Sequence, residues 1–459
     1  MEKGKITFYG GVDMVTGANF LFEIAGKKIM IDCGFFQGCD VCDVKNHSSF
    51  PFSPSSIGVV FVTHAHMDHI GRIPLLVKEG FKGTIISTAP TKEIAQLLLI
   101  DGIHIARSEH NEGAAALYDE NDVYAAMGKW KEVGYHERIP VADGVHARFR
   151  DAGHILGSGM VEIVREAEGS SPEKRLIFTG DLGNSPDPLL PDTESVKDAD
   201  YLVMESVYGD RNHEGRESRT ARLEDVIERV VRDKGILLIP AFSVERTQEL
   251  LFEIKMMMEE SKIPLIPVFL DSPLAIKVTE LYKRYQEFFN DKVKELRKKE
   301  DSIFSFPQLH ITRSSEESRS IERFGSPKII IAGSGMSEGG RILRHERKYL
   351  GQKTTTILLI GYQAPNSLGR QIQDGVRKVR IEHEDVFVNA RVETISGYSA
   401  HKDMDRLIAF VADAADRLKK VFVVMGEPRS SAFLTQRLRD YLGVPAHMPK
   451  EGEAVILDF

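Results

Sequence analysis

In the first part of the chain, short apolar runs are separated by glycine-rich turns: Ile6–Tyr9, Asn19–Ile24, Lys28–Ile31, Gly58–Val62, Thr84–Ser87, Met160–Val164 and Leu176–Phe178. Runs of this length bounded by turn residues predict strands. Helical periodicity intervenes at Thr91–His104 and Glu120–Lys131. Strands in bursts with helices between them predict an α/β sandwich with helices on its outer faces.

From about residue 207 the rhythm changes to regular alternation. Helical patterns at Ser218–Asp233, Val244–Glu259, Leu274–Tyr285 and Arg341–Leu350 alternate with apolar runs at Ile236–Ile239, Leu265–Leu270, Lys328–Ala332 and Thr355–Ile360. Buried β-branched runs between amphipathic helices predict a parallel, doubly wound sheet. Beyond residue 381 strand patterns return at Val386–Ala390, Val421–Val424 and Ala454–Leu457, with helices at Lys402–Ala412 and Ser430–Leu442. The economical account has three segments: a first domain over 1–206, an α/β insertion over 207–380, and the completion of the first domain over 381–459.

Composition changes this picture little. The chain has 459 residues, 42% of them hydrophobic and 28% charged, in the range of an ordinary globular protein. No apolar run reaches the length of a membrane span, and Met1-Glu-Lys-Gly-Lys-Ile6 lacks the apolar core of a signal peptide, so a cytoplasmic protein is expected. Cys33, Cys39 and Cys42 do not suggest a disulfide framework, and free thiols in a reducing compartment are the expectation. The net charge of −8 argues against indiscriminate binding to polyanions. Residues 341 to 380, however, carry nine Lys/Arg against Glu346 and Asp374, a local +7 that fits a cleft for a polyanion.

The densest chemistry lies in His64-Ala-His-Met-Asp-His69, which follows the apolar run Val59–Val62 and precedes the helical run Ile70–Val77. Three imidazoles and a carboxylate on a strand-to-helix turn supply the nitrogen and oxygen donors that suit zinc. Asp151-Ala-Gly-His154 is a small-residue loop presenting a histidine, and Leu176-Ile-Phe-Thr-Gly-Asp181 is a strand ending in an aspartate. A lone histidine is more often a satisfied polar residue than a ligand. Beside the hexapeptide, His154 and Asp181 add a nitrogen donor and a carboxylate able to bridge two ions. Asp32, ending Ile29-Met-Ile-Asp32, is placed to orient a ligand imidazole through its other N–H.

The order Asp32, His64-x-His66-x-Asp68-His69, His154, Asp181 resembles the metallo-β-lactamase fold. Met204-Glu-Ser-Val-Tyr-Gly209, Ile239-Pro-Ala-Phe-Ser-Val-Glu-Arg-Thr-Gln248, Asp271-Ser-Pro-Leu-Ala275 and Ser396-Gly-Tyr-Ser-Ala-His401 resemble its β-CASP branch, which contains ribonuclease J and the cleavage and polyadenylation endonuclease. The resemblance runs from about residue 6 to the C-terminus. It implies an α/β fold in which a metallo-β-lactamase αββα sandwich is interrupted by a doubly wound parallel β-CASP insertion.

It also implies a function: zinc-dependent hydrolysis of RNA phosphodiester bonds in RNA processing or decay, with endonuclease as the expected mode. In that picture His64, His66 and His154 hold one zinc, Asp68 and His69 the second, and Asp181 bridges. A metal-bound hydroxide is the nucleophile, Asp68 takes part in catalysis, and His401 is the general acid with Glu205 hydrogen-bonded to it. The implied partner is single-stranded RNA, with a homodimer left open and no membrane. Arg341, Arg344 and Arg370 are the expected RNA contacts. One departure stands out. Family members carry a His-Gly-Glu whose histidine ligates the second zinc, whereas this chain reads Met425-Gly-Glu427. A thioether is a poor zinc ligand, so one tight site and a weakened second site are expected. Two alternatives remain: an RNA-binding pseudoenzyme with an incomplete second zinc site, and a metallohydrolase of a small ester.

Overall fold

The computed structural model describes residues 3–39, 41–108, 117–213, 215–298, 302–364 and 366–459. Its contacts group into two units, Met1–Asn212 with Ala400–Phe459, and His213–Ser399.

The first unit is built on two seven-stranded sheets. One carries the strands Lys3–Gly10, Asn19–Ile24, Lys27–Ile31, Val59–Phe61, Thr84–Ser87 and Trp130–Glu132 in chain order across the sheet, with Ala454–Asp458 on its outer edge beside the first of them. The other runs, edge to edge, Ala446–His447, Lys420–Val423, Tyr201–Met204, Lys174–Phe178, Gly159–Arg165, Val145–Asp151 and Ile139–Ala142.

Period-two alternation explains why the sheets face each other. Tyr201, Val203, Phe422 and Val424 point into one core cluster with Phe8, Phe20, Phe61, Phe149 and Phe178. The alternate residues Leu202, Met204, Val421 and Val423 point the other way, into a second cluster with Leu407, Phe410, Val411, Leu434 and Leu438. Those last five belong to the helices Met404–Ala412 and Pro428–Leu442, which cover the outer face. Aromatic pairs join the sheets: Phe61 with Phe149 at 5.9 Å between ring centroids, and Phe20 with Phe178 at 6.2 Å. This is the αββα sandwich expected from the strand pattern.

The second unit holds a six-stranded sheet in the order Leu309–Ile311, Val268–Leu270, Lys328–Ala332, Ile236–Pro240, Thr355–Leu359, Arg391–Thr394. Every neighbouring pair is parallel. Its central strands include continuous apolar runs such as Ile236–Pro240 and Lys328–Ala332, buried throughout, as a sheet covered on both faces requires. A separate hairpin pairs Lys378–Ile381 with Glu384–Phe387.

Two expectations change here. Residues 381–399, read from the sequence as the return to the first domain, group with the second unit. The reason is that Arg391–Thr394 pairs in parallel with Thr356–Leu359 and extends its sheet. The cysteines also differ from the free-thiol expectation. Cys39 and Cys42 are joined by a disulfide. The Cys42 N–H bonds the Cys39 carbonyl at 3.1 Å at the start of the helix Cys42–His47, and the two Cα atoms lie 5.2 Å apart, within bonding reach. Cys33 is the buried free thiol, and burial pushes its pKa up to about 12. Among the described residues, no helix is long and apolar enough to cross a membrane.

Candidate metal centre

Six strands of the first unit end at one rim. The strand Lys27–Ile31 is followed by Asp32, Val59–Phe61 by the His64 turn, and Val145–Asp151 by His154; Lys174–Phe178 leads to Asp181, Tyr201–Met204 to Glu205 and Lys420–Val423 to Met425. The carboxyl ends of sheet strands, where the backbone turns away, are where α/β folds gather ligand-binding side chains.

The hexapeptide is shaped by a single helical turn, Met67–Ile70, whose first bond runs from the His69 N–H to the His66 carbonyl at 2.9 Å. This turn is tied to the segment after the third strand: the Cys33 N–H bonds the His69 carbonyl (2.8 Å) and the Phe35 N–H bonds the Met67 carbonyl (2.9 Å). Gly34 lies so close that a Cβ there would sit 1.5 Å from the Asp68 carbonyl oxygen. Only glycine fits.

Four donor atoms then converge. His64 Nε2 lies 3.1 Å from His66 Nδ1, and His154 Nε2 lies 3.3 Å from the same atom. Asp181 Oδ2 is 3.4 Å from His64 Nε2 and 3.5 Å from His154 Nε2. A tetrahedron of ligands about 2.0–2.1 Å from a zinc ion has edges of about 3.3–3.4 Å. These spacings therefore match a zinc cage.

The electrostatics agree. Burial lowers the pKa values of His66 and His154 well below the usual imidazole range, leaving them neutral, the state a metal requires. Burial would raise the Asp181 carboxyl, but His69 and His64 beside it outweigh that and hold it well below the usual carboxylate range.

A second group forms on the other side of Asp181. His69 Nε2 lies 3.3 Å from Asp181 Oδ1 and 3.7 Å from Asp68 Oδ2. His69 Nε2 and Asp181 Oδ1 are buried with no hydrogen-bond partner, a costly state unless a ligand satisfies them. Asp32 is fully buried, and its Oδ2 lies 2.8 Å from His69 Nδ1. Its two oxygens also accept from the Thr63 N–H and Oγ1, each at 2.8 Å.

Met425 adds nothing to this second group. It is 2% exposed within the core cluster between the sheets, and its sulfur packs at Gly11, where a Cβ would lie 2.5 Å from Sδ. Its φ of 48° is left-handed, a region β- and γ-substituted residues seldom occupy. The donor set fits zinc fully at the first group and incompletely at the second.

His401 stands beside both. Its Nδ1 is 3.1 Å from Glu205 Oε1 and 4.0 Å from Asp181 Oδ2. Glu205 is fully buried, and its Oε1 also accepts the Leu182 N–H at 2.6 Å. Burial alone would lower the His401 pKa, but Glu205, by charge and by hydrogen bond, and then Asp181 push it up to about 9.

Three supporting residues escaped the sequence reading. Thr63 bridges Asp32 and His64 Nδ1, the latter at 3.1 Å; its position just before the hexapeptide was the available signal. Gly183 carries the Asp181 loop past the His154 loop, since a Cβ there would lie 1.7 Å from the Gly153 carbonyl oxygen. Lys402 is buried and donates to the Gly183 carbonyl at 2.7 Å, with burial bringing its pKa down to about 8. Nothing in their sequence contexts marked the last two.

The arginines expected to bind RNA belong to the second unit. Arg341 donates to Asp271 Oδ1 (2.8 Å) and to the carbonyls of Thr312 (2.9 Å) and Arg313 (3.2 Å). Arg344 donates to the Ser318 carbonyl at 2.6 Å and to its Oγ at 3.2 Å. Both guanidiniums are therefore half-buried and engaged by partners within the second unit. Arg370 differs. It is exposed and pairs with the exposed Asp374 at 2.9 Å, a weak surface pair that a phosphate can displace.

Comparison with known proteins accords with this geometry. Residues 21–195 match the metallo-beta-lactamase superfamily domain, 247–372 the Beta-Casp domain, and 385–449 the Zn-dependent metallo-hydrolase RNA specificity domain. Ribonuclease TTHA0252 of Thermus thermophilus is 32% identical over 88% of this chain and 90% of its own length. The transcription termination factor FttA of Thermococcus kodakarensis is 30% identical over 99% of this chain and 71% of its own length. A crystal structure of a protein of unknown function from Enterococcus faecalis, 12% identical, aligns over 99% of this chain and 100% of its own with a TM-score of 0.57, a likeness of fold alone. Taken together, the ligand cage, its carboxylate-oriented histidine and these likenesses place the chain in the β-CASP family of metallo-β-lactamase-fold metallohydrolases.

Proposed function

We propose that the chain is a zinc-dependent ribonuclease that hydrolyses RNA phosphodiester bonds in RNA processing or decay. The observation that carries this reading is the placement of His401, oriented by buried Glu205, beside a four-donor cage spaced for zinc. His64, His66, His154 and Asp181 would hold one ion, and Asp68, His69 and Asp181 a weaker second. Zinc bound there supplies Lewis acidity toward a phosphoryl oxygen and lowers the pKa of a bound water. Asp32 fixes the His69 ring through Nδ1, and the neutral imidazoles of His66 and His154 are ready to ligate without losing a proton. Glu205 occupies His401 Nδ1, so Nε2 is the nitrogen that carries a proton to the leaving ribose oxygen. Relatives named as a ribonuclease and as transcription termination factors support RNA as the substrate class.

A second reading, an RNA-binding pseudoenzyme, is favoured by Met425 alone, whose sulfur lies in the core. A third, hydrolysis of a small ester, has no observation in its favour. Incubating zinc-replete protein with end-labelled single-stranded RNA, and separately with p-nitrophenyl acetate, tests all three. The ribonuclease reading expects RNA fragments, with product mapping assigning internal or terminal cleavage. Binding without cleavage would establish the pseudoenzyme, and ester turnover without RNA cleavage the small-molecule hydrolase.

A further inference from the structure

In the second unit the central strands Ile236–Pro240 and Thr355–Leu359 are parallel neighbours. The chain leaves the first of them toward Val268–Leu270, on one side of the sheet, and the second toward Arg391–Thr394, on the other. Connections that depart in opposite directions open a crevice at the carboxyl ends of the two strands, the switch point where open α/β sheets bind ligands. The residues that follow the two strands there are Ala241-Phe-Ser243 and Ile360-Gly-Tyr362.

Phe242 at this point is 37% exposed, and Tyr362 is 41% exposed. The Phe242 ring is seated on glycine. A Cβ on Gly335 would lie 2.8 Å from its Cδ2, and one on Gly361 3.0 Å from its Cε2. Any side chain at Gly335 would displace the ring. The backbone is held as well: Thr247 Oγ1 donates to the Phe242 carbonyl at 2.8 Å, and Gln363 Nε2 donates to the Gly335 and Gly361 carbonyls at 3.0 and 3.3 Å. A large apolar ring that is fixed from beneath and open to solvent loses little entropy when something flat is laid on it.

We propose that this switch point is a stacking seat for an unpaired nucleobase of single-stranded RNA, with Phe242 as the platform and Tyr362 flanking it. The inference rests on the ribonuclease reading and adds to it a base contact made by residues of the second unit. A stacked base is held without regard to sequence, because every base offers a π-face. The seat would therefore favour unpaired strands over duplex while leaving sequence unread.

The test is fluorescence anisotropy with the full zinc-loaded chain and a hydrolysis-resistant phosphorothioate oligoadenylate. An otherwise identical abasic oligonucleotide and AMP as competitor complete the set. Phe242→Leu keeps an apolar side chain but removes the π-face, and should weaken oligoadenylate binding by about 5- to 100-fold. Phe242→Trp should restore it, and the abasic strand should bind both the unaltered chain and Phe242→Leu alike. Thermal melting of each variant reports its folding. Oligoadenylate binding indifferent to Phe242→Leu in a folded variant overturns the seat alone. Equal competition by AMP and oligoadenylate would make a free nucleotide the occupant and overturn the proposal as stated. Failure of the unaltered chain to bind any strand removes the RNA reading and the seat together.

Discussion

His401 Nδ1 lies 3.1 Å from Oε1 of Glu205, a carboxylate with no solvent exposure. This pair leaves Nε2 opposite the orienting group, and Glu205 raises the imidazole pKa. In the proposed mechanism the rest of the centre would hold metal and this pair would handle a proton.

His401→Ala should therefore lower RNA cleavage by about 10²- to 10⁴-fold, the range for a general acid, with zinc content unchanged by metal analysis. The acid form is the charged one, present below the His401 pKa of about 9 and lost as pH rises through it. Glu205→Gln removes the charge that raises this pKa and leaves burial, which lowers it. The alkaline limb of the pH–rate profile should move to lower pH. Loss of zinc in His401→Ala would make His401 a ligand instead.

Asp32 touches no proposed metal position, yet its bond to His69 Nδ1 sets that ring's tautomer and angle. Asp32→Asn should cost about 10- to 100-fold in zinc affinity at the weaker site, the usual effect of losing an orienting carboxylate. Competition with a chromophoric chelator measures it. Unchanged affinity would show that the ring is held by packing alone.

Met425 supplies the clearest stoichiometric prediction. Protein dialysed at limiting zinc should retain about one tightly bound ion, because the second donor group has Asp68, His69 and Asp181 but no fourth side chain among the described residues. Met425→His should raise the content toward two. Two equally tight ions in the unaltered protein would contradict the incomplete second site.

Arg341 and Arg370 should behave differently although both lie in the same basic segment. Arg341→Ala breaks a half-buried pair, so it should lower stability by about 1–2 kcal/mol, read by denaturant unfolding, and leave the salt dependence of RNA binding unchanged. Asp271 has other donors, His345 Nε2 at 2.7 Å and the Thr312 and Ser318 hydroxyls at 2.6 Å each, which limits the loss. Arg370→Ala should leave stability nearly unaltered. If Arg370 meets a phosphate, it should reduce the slope of log K against log salt by about 0.7.

The contrast between these two arginines marks how far the sequence could be read. Strand ends and ligand spacing are local, so the convergence of His64, His66, His154 and Asp181 was legible from short motifs, and so was the placement of Asp32 beside one of the imidazoles. Charge counting in a window is local too, but the partners are not. Arg341 pairs with Asp271, 70 residues away, Arg347 with Glu382, and Lys348 with Glu322. Much of the +7 is thus neutralised by carboxylates outside or at the edge of the segment. Likewise the strand Arg391–Thr394 is polar and short, and only its pairing with Thr355–Leu359 assigns it to the second unit. The Met425 substitution was visible as a letter, whereas its burial against Gly11 needed the fold.

The most direct test of hydrolysis at this centre is isotopic. Zinc-replete protein is incubated with end-labelled RNA in water enriched in oxygen-18, and the termini of the products are analysed by mass spectrometry. The account expects cleavage that chelation abolishes, with fragments bearing a 5′-phosphate that carries the heavy oxygen, because water attacks phosphorus and His401 protonates the departing ribose oxygen. Fragments ending in a 2′,3′-cyclic phosphate without heavy oxygen, or no cleavage by fully zinc-loaded protein, would contradict it.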